Sequence, residues 1–182
     1  MGESCKKAMR TYIYSPPKFK HSAKLVEVFD EQEAVVFKYR RTFNSVFARF
    51  AVWIWDIDWH VQFVAYLKDG DPIYRCAKNA KWFGRPTYRV TNCQTGEEYE
   101  VSYRSWQKVV PEFRIANRRT ELVVKKEMMD WVRVYDQGKE VARWKMKMTE
   151  FYKTHLEIEE NCPIQDPAFF VCLFQNIFYV GD

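Results

Sequence analysis

In the stretch PIQDPAFFVCLFQNIFYV, Pro163 to Val180, the apolar residues fall on every side of a helical wheel, and only Gln175 and Asn176 interrupt them. A helix with no polar sector has nothing to turn toward water, so it is either enclosed by protein or embedded in a membrane. Asp166 followed by Pro167 is a helix opening: the carboxylate caps free backbone N–H groups, and proline stands where no intrahelical donor is required. A helix over 166–180, roughly 14 residues past its cap, reaches about 21 Å, short of the ~20 residues that cross a bilayer. The sequence therefore predicts a central buried helix, and the rest of the chain must wrap it.

What precedes the helix reads as strands. Thr11 to Tyr14, stopped by Pro16 and Pro17, and Leu25 to Phe29 are short β segments. Val35 to Arg41 alternates, with Val35, Phe37 and Tyr39 on one face and Lys38 and Arg40 on the other. Trp59 to Leu67 and Ile73 to Lys78 flank the turn at Asp69, Gly70 and Pro72. Thr87 to Thr91 and Glu98 to Arg104 flank a second turn around Asn92 to Gly96. Phe113 to Ala116, Leu122 to Lys126, Trp131 to Tyr135, Val141 to Met148 and the pair Leu156 and Ile158 complete the series. The segment Phe43 to Trp59 carries two periods at once. Phe43, Phe47, Phe50, Ile54 and Ile57 recur at helical spacing, while Trp53, Trp55, Ile57 and Trp59 recur at strand spacing. It reads as a core element leading into the next strand, or as an amphipathic helix whose Phe47, Phe50 and Ile54 lie in a membrane interface beside Arg40, Arg41 and Arg49.

About twelve strands, mostly antiparallel, with one apolar helix at the end, specify an architecture. Closing the sheet removes its unpaired edges, and a helix about 10 Å across needs a barrel wider than the eight-stranded kind that side chains alone fill. The expected fold is a mainly β protein: a closed β-barrel enclosing a buried C-terminal helix. Residues 1–8 are expected to be a flexible terminus ahead of a single domain over 9–182.

Composition narrows the functional classes. With 182 residues, 47% hydrophobic and 18% aromatic, the chain has material for one substantial core. Met1 to Met9 has no apolar run behind its lysines, so neither a secretory leader nor an anchor is expected, and a cytoplasmic location follows. Cys5, Cys76, Cys93, Cys162 and Cys172 are odd in number and contain no paired CxxC spacing, which points to neither a disulfide framework nor a zinc site. His21, His60 and His155 show no metal-ligand spacing, and Asp56 with Asp58 reads as a turn or edge feature. No catalytic residue, metal or cofactor is expected. The net charge of +5 permits an anionic partner. The absence of a recognition helix or an RNP-like strand argues against nucleic acid.

Asp166-Pro167-Ala168 before the apolar run, the hairpin strand ending Ile73-Tyr74-Arg75, and Trp82-Phe83-Gly84-Arg85-Pro86-Thr87-Tyr88 leading into the next strand together carry a resemblance. Over roughly Met9 to Val180 the chain resembles the tubby C-terminal-like superfamily, which includes tubby proteins, phospholipid scramblases and plant LURP-one-related proteins. The resemblance implies a twelve-stranded barrel around a hydrophobic helix, and no catalytic activity. It also implies binding of acidic phospholipid or phosphoinositide headgroups at the basic segment after Ile73, where Lys78, Lys81 and nearby Arg85 are the counterparts, with Ala80 interrupting the denser cluster of animal tubby domains. The alternative is a soluble protein-interaction scaffold without a lipid ligand.

Overall fold

In the computed structural model, residues 9–17, 22–43, 61–80, 84–105, 111–126, 131–147 and 153–178 are described. They form twelve strands and one helix. The strands are β1 (Met9–Tyr14), β2 (Val26–Phe29), β3 (Val35–Phe43), β4 (Val61–Tyr66), β5 (Pro72–Asn79) and β6 (Thr87–Asn92). They continue as β7 (Glu98–Tyr103), β8 (Glu112–Ala116), β9 (Glu121–Lys126), β10 (Val132–Asp136), β11 (Lys139–Lys147) and β12 (Lys153–Glu159). Each strand pairs antiparallel with the next in sequence. β12 returns to β1 in register from Met9↔Glu159 to Tyr14↔Thr154, which closes the barrel.

The alternation that defined the strands decides what fills the barrel. Phe37 and Tyr39 on β3, Val90 on β6, Val101 on β7, Phe113 and Ile115 on β8, and Leu122 and Val124 on β9 all point inward and are buried. They pack around helix α1 (Pro167–Phe178), whose Ala168 through Gln175 are fully enclosed. Asp166 caps the helix as expected, its Oδ1 accepting from the Ala168 N–H at 2.9 Å. Phe169 meets Tyr74 and Tyr99 edge-on, with centroids at 5.8 and 4.9 Å. Phe174 and Phe178 lie against Trp144. Such aromatic contacts add to the area term that drives burial. Ile177 departs from the expected full enclosure and is half-buried, because it stands in the last turn, where the helix reaches the barrel mouth.

The two polar interruptions of the helix are bonded to the wall. Gln175 Nε2 donates to the Tyr14 hydroxyl at 3.0 Å, and Trp144 Nε1 donates to the same oxygen at 2.8 Å. Asn176 Nδ2 donates to the Cys76 carbonyl at 2.9 Å. A buried amide or indole without a partner would cost about 1–3 kcal/mol, so these bonds hold the helix in one rotation about its axis.

An up-and-down barrel has two unlike ends. At one, the helix begins and short turns join β2 to β3, β4 to β5, β6 to β7, β8 to β9 and β10 to β11. Side-chain caps serve three of these turns, where Asp30, Asn92 and Asn117 each accept backbone N–H groups through Oδ1, and Gly70, Gly96 and Gly138 supply positive φ in three. Between β10 and β11, Gln137 and Gly138 both adopt positive φ, the geometry of a two-residue hairpin turn whose twist matches the strands. The longer connections and the helix C-terminus occupy the other end. Phe47, Phe50 and Ile54, the expected interfacial residues, lie outside the described residues, as does Lys81.

Candidate functional site

At the end of the barrel where the helix finishes, three inward rows carry a cation, at the last inward position on β5 and β9 and one step before the partly buried Phe43 on β3. On β3 the row Phe37, Tyr39 continues to Arg41, which is 5% exposed and lies over the rings of Phe43 and Phe63 at 5.3 and 5.9 Å. On β5 the row Tyr74, Cys76 continues to Lys78, which is half-buried. On β9 the row Leu122, Val124 continues to Lys126, whose Nζ lies 4.9 Å from the centre of the Phe178 ring. Burial pulls the Lys126 pKa down, since an ammonium loses hydration there.

Arg85 joins this end from the connection between β5 and β6. Its guanidinium sits over Tyr103 at 4.8 Å, and Nη1 donates to the Ser105 carbonyl at 2.6 Å. Tyr103 in turn packs on Phe113, which meets Phe178. A tier of aromatic rings thus spans this mouth, with Arg85 over one ring and Lys126 over another. Cations over aromatic faces are stabilised by the ring quadrupole, about 0.5–1 kcal/mol when exposed and more when desolvated. Lys24, Arg104, Lys147 and Lys153 lie at the same end by their positions on the strands and connections.

The opposite end carries the other sign. Asp30, Glu31, Asp69, Asp71, Glu97, Asp136, Glu160 and Asp166 stand in or beside its turns, with Lys68, Arg118, Arg119 and Lys139 among them. This polarity complements the helix. A helix N-terminus carries about half a positive charge and its C-terminus about half a negative one. Asp166, just ahead of the first turn of α1, complements its N-terminus, and with no basic residue in the last turn a cation near the C-terminus comes from the barrel wall.

Among the described residues, three of the four cysteine thiols are buried in the packing. Burial pushes the Cys76 thiol up to about 12 and the Cys162 thiol up to about 11, and raises Cys172 well above its ordinary value. A thiol held in that range is protonated at neutral pH and a poor nucleophile. Among the described residues no cluster of three or more His, Cys, Asp or Glu could hold a metal ion. None of the described helices is long and apolar enough to cross a membrane.

The profile of the Tubby C-terminal like domain matches residues 12–180. The chain belongs to this family. No curated protein and no solved structure matches it. In this tubby-like barrel, Lys78 and Arg85 flank the connection that follows the last β5–β6 pair, Asn79↔Thr87, and so stand at one end of the molecule. Lys126 is not among the residues the sequence singled out, and Arg41 was named only as a neighbour of the segment Phe43 to Trp59, although a signal for both was present. Each stands on the inward alternation of its strand, Lys126 at the last inward position of β9 and Arg41 one step before Phe43 on β3.

Proposed function

We propose that this domain is a noncatalytic, peripheral binder of acidic phospholipid or phosphoinositide headgroups, which docks through the basic end of the barrel with Lys78, Lys81 and Arg85 among its contacts. The observation that supports this reading is the segregation of charge along the barrel axis among the described residues. Lys78 and Lys126, which end inward rows at one mouth, are partly stripped of water, and an anionic group compensates for that loss, whereas the carboxylate-rich end is repelled by the same surface. Near an anionic membrane each Lys or Arg contributes about 1 kcal/mol, which suits weak and reversible attachment. Attraction of this kind weakens with salt, because the screening length is about 8 Å at 0.15 M.

A second reading, an interaction scaffold without a lipid ligand, draws on the way Arg85 is already held by Ser105 and Tyr103. Flotation with vesicles of graded phosphatidylserine and phosphatidylinositol bisphosphate content separates the two. Headgroup binding requires co-flotation that rises with anionic lipid, falls with salt, and is lost in a folded Lys78→Ala, Lys81→Ala double variant. A wild-type protein that ignores acidic vesicles at low salt leaves the scaffold reading in its place.

A further inference from the structure

The wall of the barrel has one weak seam. β1 meets β2 at a single residue pair, Ile13↔Phe29, whereas the other neighbours are laddered over four positions or more. Beside that pair the two strands part around a cavity of about 920 Å³. This is within the range of about 300–1,000 Å³ typical of small-ligand sites. Ile13, Leu25, Val26 and Phe29 give it an apolar lining, and Lys24 and Lys153 also border it. Leu25 is 45% exposed, one of two large apolar side chains so exposed among the described residues.

The charges on the lining decide what it suits. Glu27 is paired with Lys38 at 2.8 Å, and Asp30 Oδ1 is occupied by the N–H groups of Gln32 and Ala34. Among the described residues neither Lys24 nor Lys153 has a carboxylate at ion-pair distance. Glu33, also on the lining, belongs to the β2–β3 turn at the acidic end, whereas the two lysines stand at the basic end. An extended peptide added to the strand edges would need main-chain partners. Pro16 and Pro17 continue β1 without N–H groups, and the Thr11 N–H is taken by Glu31 Oε1 at 2.8 Å.

We propose that this cleft binds a single-chain anionic amphiphile, with its acyl chain along Ile13, Leu25, Val26 and Phe29 and its acidic head between Lys24 and Lys153. The site goes beyond the headgroup reading and stands without it, since it requires no membrane surface.

Titration of the whole chain with cis-parinaric acid, a fluorescent fatty acid, tests it. The expected result is a saturable rise in fluorescence below the micellar concentration, reversed by hexadecanoate. Leu25→Glu, at an exposed position that leaves the fold intact by circular dichroism, should weaken binding about tenfold by placing a carboxylate against the chain. A Lys24→Gln, Lys153→Gln variant should weaken hexadecanoate several-fold and leave competition by the uncharged hexadecanol unchanged. The Lys78→Ala, Lys81→Ala variant should bind the probe like the wild type, which separates this site from the vesicle-docking end. Absence of a saturable signal, binding indifferent to Leu25→Glu, or displacement by an extended peptide and not by hexadecanoate would each overturn the assignment.

Discussion

The two ends of this barrel are built from the same strands and differ in what finishes them. At the end where the helix starts, the chain reverses in short turns, and the Asp and Asn side chains that cap those turns bring negative charge and hydrogen-bond acceptors with them. At the end where the helix stops, Arg41, Lys78 and Lys126 stand on the inward rows of three strands, near the ends of those strands. Part of the acidity of the first end follows from backbone geometry, since Asp30 caps a turn and Asp166 caps the helix, whereas the turn caps Asn92 and Asn117 are neutral. The cations of the second end serve no turn. They are partly buried charges, a costly placement, and costly placements concentrate where a protein binds something.

The comparison depends on the helix that keeps the ends apart, so its largest test lies there. Phe174→Asp would place an unpaired charge against Trp144 and Phe170, which should cost several kcal/mol and abolish soluble expression. A soluble variant with a cooperative melt would break the central-helix architecture and, with it, the distinction between the ends.

Alkali should act next, and on the acidic end in particular. Tyr74 is raised to about 12, first by burial and then by Asp166, and Tyr99 is raised by burial and by Glu97. Cys76 and Cys162 are raised as well. For each group the folded chain keeps a proton that the unfolded chain releases near the ordinary value, 9.0 for the thiols and 10.0 for the tyrosines. The stability is therefore complete below pH 9 and falls as pH rises through 10 toward 12. Urea melts at successive pH values should show this decline, and a flat profile to pH 11 would contradict the burial of these groups.

Charge substitutions sharpen the contrast directly. Lys78→Glu should reduce binding to anionic vesicles about fivefold or more, at about 1 kcal/mol for the positive charge removed, whereas Arg118→Glu with Arg119→Glu at the acidic end should leave it unchanged. Equal losses at both ends would mean that net charge, and no particular face, drives attachment.

The smallest effects concern the two ends of the helix. Asp166→Ala removes the cap and should cost about 1 kcal/mol in a denaturant melt. Lys126→Met keeps the apolar contact with Phe178 and discards a charge that burial disfavours, so it should hold or raise stability by up to about 1 kcal/mol while weakening vesicle binding. A loss of stability on that change would make Lys126 a structural partner of the helix terminus.

Much of the fold was legible because it is local. Period-two alternation marked the strands, from Thr11–Tyr14 to the pair Leu156 and Ile158, and an all-round apolar helix could only be central once the strands outnumbered what a filled barrel needs. The site was legible in part. Lys78 and Arg85 were suggested by the family resemblance, and the structure places both at one end, but which face of β5 Lys78 occupies comes from the pleat it shares with Tyr74 and Cys76. Arg41, named only as a neighbour of the segment Phe43 to Trp59, and Lys126 were not joined to that site, because their convergence depends on which strand ends share a mouth.

By itself the sequence determined the strand pattern, the capped apolar helix at Asp166 and Pro167, and the Asp and Asn turns, since each depends on neighbours within a few residues. Only the tertiary structure decided that α1 finishes at the mouth where Arg41, Lys78, Arg85 and Lys126 collect, and that β1 and β2 part around a cavity after a single bridging pair. Both depend on which strands become neighbours when the sheet closes on itself. Closure joins residues as distant as Met9 and Glu159, a relation that no local period encodes.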